Sequence, residues 1–325
     1  MILDLKWKNL KRAFLIILLI IIIVISGVVL FNGKYTEVQN SNKIQVVSSN
    51  FASYDFLRAI IGDNENIELT FLLGPGKDVH SYDPTAKDLI TIQNADLFVY
   101  VGGEMENWSE RVLDSLDDEI GKIICIADYV ETIEEQEIDG VEHEHEEGAF
   151  DEHIWTSPSN AIVMINSLKD AMVEIDSENK YKYEENAKNY IAEIEKVDSQ
   201  IQEIVDNRVR ERLIFADKMP MQYFIDYYNL QVSAAFSGCS SDADPSASTI
   251  AYLEDKVRQE EIPVVLYVEL NNGRLANIIA EEMGNGCEAL QIQALHNVSL
   301  DDFNNGESWV SLMTRNIDVL KKALQ

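Results

Sequence analysis

The 325-residue sequence has five histidines, His80, His143, His145, His153 and His296, each placed where metal chemistry is plausible. Three of them fall within Asp139–Ala161, DGVEHEHEEGAFDEHIWTSPSNA. From Asp128 to His153, 12 of 26 residues are Asp or Glu. Imidazoles set among carboxylates attract cations, and neutral imidazole is a donor for divalent transition metals. His143 and His145 alternate with glutamates and show no apolar periodicity, which predicts a solvated loop. His153 instead precedes Trp155, Pro158 and a helical pattern over Ala161–Met172, so its ring can be aimed. An acidic loop feeding one fixed histidine would gather metal ions. Taken alone, the stretch reads equally well as a solvated acidic linker with incidental histidines.

The other candidates stand at predicted strand ends, where open α/β sheets bind ligands. His80 lies in LLGPGKDVHSYDP, after a strand and a Gly-Pro-Gly turn, and Pro84-Thr85 opens the next helix. Asp217 ends the strand LIFAD and is followed by Lys218 and Pro220; a cap or turn role is a strong alternative for it. His296 follows EALQIQAL in LHNVSLDDF, again at a carboxyl edge.

The elements that must carry these residues alternate. Strands are predicted at Lys43–Ser49, Ile67–Leu73, Asp96–Val101 and Lys122–Ala127, with helices at Phe51–Ile61, Thr85–Asn94 and Trp108–Leu116. A second series has strands at Leu213–Ala216, Gln231–Phe236, Val264–Glu269 and Glu288–Gln293, and helices at Ser248–Glu260, Gly273–Met283 and Trp309–Leu324. Such alternation implies parallel sheets covered on both faces. Between the two series, Ser177–Arg208 keeps an apolar helical period without Gly or Pro, enough for a connector about 45 Å long. The expected fold is α/β, with two Rossmann-like parallel-sheet lobes (43–176 and 211–325) joined by one long rigid helix (177–210).

Residues 1–42 form a separate segment of basic tip, apolar run and spacer. Ala13–Phe31 holds 19 uncharged residues behind Lys6, Lys8, Lys11 and Arg12, close to the ~20 residues that span a bilayer core. The positive-inside rule places the tip in the cytoplasm and the rest outside. An uncleaved transmembrane anchor is expected, with a cleaved signal peptide near Ser26-Gly27 as the rival. No cysteine ends the run, so attachment through a lipobox cysteine is not expected. The formal net charge of −31 argues against nucleic acid as a partner.

The motifs GPGKDVHSYDPTAKDLITIQNADLFVYVGG, the acidic histidine loop, DEHIWTSPSNA and SWVSLMTRNIDVLKKAL resemble, in that order, the zinc- and manganese-specific solute-binding proteins of bacterial ABC importers. The resemblance covers about Lys43 to Leu324. It implies two lobes bridged by a long helix, a metal held between them, an ABC permease as partner and no catalysis. It also implies a ligand set: His80 and His153 fall on the first two ligand positions, and His296 falls close to the fourth. The third departs from the family pattern, because FADKMPMQYF puts Lys218 near the ligand slot; neighbouring Asp217 is the candidate there. Three imidazoles and one carboxylate suit tetrahedral Zn²⁺, with Mn²⁺ less favoured. Asp83 and Glu104 are near enough in sequence to orient a ligand histidine.

Two other functions remain open from the residues: a membrane-anchored surface adhesin, and a zinc-dependent hydrolase, although HExxH and GxSxG are both absent. Of the three cysteines, Cys125 is expected in a buried strand, and Cys239 and Cys287 are a possible disulfide in an oxidising exterior.

Overall fold

The computed structural model describes residues 43–77, 79–116, 120–136, 150–236, 245–284 and 286–325. The apolar run 13–31, His143, His145 and Cys239 lie outside the described residues, and so do the expectations attached to them. Among the described residues, no helix is long and apolar enough to cross a membrane.

The first sheet comprises β1 (Ile44–Ser48), β2 (Ile67–Phe71), β3 (Leu97–Tyr100) and β4 (Lys122–Cys125), all parallel in the order β2-β1-β3-β4. The second comprises β5 (Arg212–Phe215), β6 (Gln231–Ala234), β7 (Val264–Val268) and β8 (Glu288–Ile292), parallel in the matching order β6-β5-β7-β8. Unbroken apolar runs such as Leu97–Tyr100 and Val264–Val268 arise because parallel strands are covered on both faces. The helices in chain order are α1 (Phe51–Ile61), α2 (Ala86–Gln93), α3 (Trp108–Leu113), α4 (Pro158–Ile175), α5 (Lys180–Asp206), α6 (Gln222–Tyr227), α7 (Ala247–Gln259), α8 (Arg274–Met283), α9 (Leu300–Asn304) and α10 (Trp309–Leu324).

The 27-residue α5 is about 40 Å long and starts three residues later than its periodicity suggests, because Ser177–Asn179 forms a 3₁₀ turn. Its buried stripe includes Tyr183, Ala187, Ile194, Val197 and Ile201 and packs on α1, α4 and α10. Asp55 of α1 fastens this joint: its carboxylate accepts from the Trp309 backbone N–H at 2.7 Å and from Tyr190 Oη, and pairs with Arg58. Burial raises the Asp55 pKa, against the opposing effects of Arg58 and these donors. The short helices α6 and α9 escape a sequence reading because fewer than two turns show no period.

Two local features of the first lobe make tests of the fold. A Cβ on Gly121 would lie 2.4 Å from the backbone oxygens of both Ala95 and Asp96. Gly121→Ala is therefore expected to lower stability by about 1–3 kcal/mol, measured as the urea midpoint. Glu106 is buried and accepts the Val101 and Gly102 N–H groups at 2.6 and 3.1 Å; burial pushes its pKa up to about 6. A raised carboxyl pKa means the group is most favourable below its ordinary value and costs stability as pH rises through about 6. Glu106→Gln keeps an acceptor oxygen and removes the charge. Its stability relative to the parent should improve by up to about 2 kcal/mol between pH ~4 and ~8, measured by denaturant melts at both ends.

Candidate metal centre

His80 lies in the loop between β2 and α2, and His153 at the start of the turn that leads to α4. His296 follows β8 in the other lobe. Their ring nitrogens converge. His296 Nε2 is 3.1 Å from His80 Nε2 and 3.0 Å from His153 Nε2, and one ligand atom from each residue lies within 4.8 Å of the others. Three imidazoles on one tetrahedral zinc at about 2.0–2.1 Å would hold their nitrogens roughly 3.3 Å apart. The His296 Nε2 has a single in-plane hydrogen or lone pair, so it can direct a linear hydrogen bond to only one of its two neighbours and leaves the other approach unsatisfied. A cation bound by all three removes that conflict. Burial, then His153, His80 and Lys218, hold the His296 pKa well below its ordinary value, which keeps its ring a neutral donor.

The His153 ring is held from behind. The His153 Nδ1–H donates to Asp151 at 2.9 Å, and the same carboxylate oxygen accepts the His153 backbone N–H at 2.7 Å. This fixes the tautomer that turns Nε2 toward the centre. The orienting group is therefore Asp151, two residues upstream, and neither of the sequence candidates: Asp83 is exposed beside Arg111, and Glu104 opens a 3₁₀ turn. The D-x-H pattern was the available signal. Neighbouring Glu152 is also buried and accepts the Met105 N–H at 2.9 Å, tying the ligand segment to the 3₁₀ turn that follows β3.

His296 depends on an acid 27 residues away. Leu295 is a buried leucine with φ 57°, in the left-handed region where a side chain costs about 1–2 kcal/mol. Glu269, just after β7, accepts the N–H groups on both sides of it, Ala294 and His296, each at 2.7 Å. Burial raises the Glu269 pKa to about 7. The lobes meet directly here. Trp155 Nε1 donates to the Ala294 oxygen at 2.9 Å, and Trp309 Nε1 to the Trp155 oxygen at 2.8 Å. The Asn297 amide donates to the Gly74 and Lys77 oxygens at 3.0 and 2.6 Å, so the loops bearing His80 and His296 are joined.

The structure does not bring Asp217 into the histidine group. Its buried carboxylate accepts from the Lys218 N–H at 2.8 Å and from the Val268 N–H at 3.0 Å, so it braces the turn after β5 against β7. Burial raises its pKa despite those donors. Asp217, Lys218 and His296 nonetheless share one cavity of about 430 Å³, which Lys77 and Val79 of the first lobe also line. Cys125 is a free, partly buried thiol at the end of β4.

A family model described as ZnuA, zinc-uptake complex component A, periplasmic, matches residues 46–323. The zinc-binding lipoprotein AdcA of Streptococcus pneumoniae is 31% identical over 288 residues, covering 87% of this chain and 56% of that protein. The chain thus spans little more than half the length of that lipoprotein. The high-affinity zinc uptake system protein ZnuA of Bacillus subtilis is 27% identical over 292 residues, covering 87% of this chain and 88% of that protein. Among solved structures, the metal-dependent lipoprotein YcdH of Bacillus subtilis superposes with a TM-score of 0.74 at 26% identity, covering 87% of this chain and 99% of that one. The Zn(II)-bound ZnuA-like domain of Streptococcus pneumoniae AdcA gives 0.72 at 28% identity, with coverage of 87% and 99%. With nearly all of the described residues inside the family match and the same two-lobed fold in its relatives, this chain belongs to the ZnuA family of zinc-uptake components.

Proposed function

We propose that the chain captures a divalent transition metal, foremost Zn²⁺, outside the cytoplasm and delivers it to an ABC permease. The observation that carries this reading is the convergence of three histidine Nε2 atoms from two lobes on one point. His80, His153 and His296 are the proposed protein ligands, with Asp217 a wall of the adjoining cavity. Three nitrogen donors favour zinc over manganese, which prefers more oxygen. The names of the relatives, zinc-binding and zinc-uptake proteins, support capture over hydrolysis or adhesion. For the N-terminus we propose a membrane anchor over Ala13–Phe31, on its length, its apolar composition and the basic residues before it.

The test is calorimetric titration of metal-free protein with Zn²⁺, paired with elemental analysis of protein purified without added metal. One tight equivalent per chain, and no turnover of zinc-hydrolase substrates, is the expected result. Absence of tight binding would overturn the reading.

A further inference from the structure

We propose that the cavity beside His296 admits a carboxylate anion that completes the shell of the captured metal. On this view, the chain takes its cargo together with a small carboxylate ligand. The inference rests on the metal-capture reading above.

Coordination number raises the question. Among the described residues the centre offers three imidazole nitrogens, whereas zinc in a closed site takes four donors. Three buried carboxylates around the centre are already committed. Asp151 holds His153, Asp217 holds the Lys218 and Val268 N–H groups, and Glu269 holds those of Ala294 and His296. Turning any of them onto the metal would strip a buried donor of its acceptor, at a cost of about 1–3 kcal/mol for each group.

The cavity supplies the alternative. His296, alone of the three histidines, forms part of its wall, so the cavity adjoins the centre, and its volume is about 430 Å³. That volume lies within the ~300–1,000 Å³ of small-molecule sites and well above the ~30 Å³ share of one water. Two lysines line it, one from each lobe: Lys77 and the half-buried Lys218. Among the described residues neither Nζ has an ion-pair or hydrogen-bond partner, although the chain as a whole is strongly acidic. Lys218 stands near enough to act on the charge of the His296 ring. The cavity is not uniformly positive, since Asp217 and Glu269 also line it. Their oxygens are turned to backbone donors, however, whereas the ammonium groups have no partner among the described residues. A carboxylate can bind the metal through one oxygen and accept a charge-assisted hydrogen bond from Lys218 through the other. Water can do only the first.

The experiment uses the full chain loaded with one equivalent of Co²⁺, whose visible bands report the ligand shell, and titrates it first with acetate and then with citrate. Acetate should change the bands saturably. Lys218→Met should raise the acetate concentration required by about tenfold or more while Co²⁺ binding without anion stays within a few-fold. Lys77→Met should act in the same direction. Both carboxylates acting at similar concentrations would identify a simple carboxylate as the partner; citrate acting at far lower concentration would identify a chelating acid. Bands that ignore both anions while Co²⁺ stays bound would overturn the proposal and leave metal capture standing. Asp217→Asn changing the bands before any anion is added would also overturn it, by making Asp217 the fourth donor. Failure to bind Co²⁺ at all would overturn metal capture and the proposal together.

Discussion

His296→Ala should weaken zinc binding by about a hundredfold or more. Structural zinc sites contribute roughly 10–16 kcal/mol through four ligands, so one ligand accounts for about 3 kcal/mol, or two decades in affinity. The loss should exceed that simple share, because His296 is, among the described residues, the one proposed ligand from the second lobe and lies about 3 Å from each of the other two ring nitrogens. Calorimetry at fixed pH checks it, with metal-free unfolding measured alongside. The metal-free variant should melt no lower than the parent, since alanine removes a congested contact between ring nitrogens. Unchanged zinc affinity would place the centre elsewhere in the molecule.

Asp151→Asn should weaken zinc binding by about 10–100-fold without removing a ligand. Asparagine preserves the shape, and its amide oxygen can still accept both hydrogen bonds, which Asp151 takes from His153 on a single oxygen. What it loses is the negative charge that fixes the Nδ1–H tautomer and makes Nε2 a stronger donor. A merely structural role for Asp151 would appear as a lower melting temperature of the metal-free protein with affinity nearly intact. An orienting role appears as the reverse, and competition against a chelator of known affinity separates the two. A change of less than twofold in affinity would remove Asp151 from the account of the centre.

Much of the framework was legible along the chain. The alternation of β-branched runs with helical periods, and the uninterrupted pattern through Tyr183, Ala187 and Ile194, correspond to two parallel sheets and a long helix. Element ends were placed less well, because caps and 3₁₀ turns such as Ser177–Asn179 carry no periodic signal. His80, His153 and His296 were visible as candidate donors because each follows a strand or opens a helix, and the fold brings the three together. Asp217 met the same sequence criterion, yet its oxygens face Val268 and Lys218. Residue type and position along a strand do not report which way a carboxylate turns.

Element types, the succession of strands, the residues able to ligate a metal and the family resemblance are all carried by the linear chain. These follow from local chemistry: side-chain period, turn residues and the strand ends at which a loop can present a ligand. Tertiary packing alone decided that Glu269 grips the backbone on both sides of the strained Leu295. It also decided that Trp155 reaches Ala294 across 139 residues, and that Lys77 and Lys218 face one cavity. Those relations depend on the separation and angle of two lobes after their cores have packed, and no pattern along the chain encodes a distance between residues that far apart.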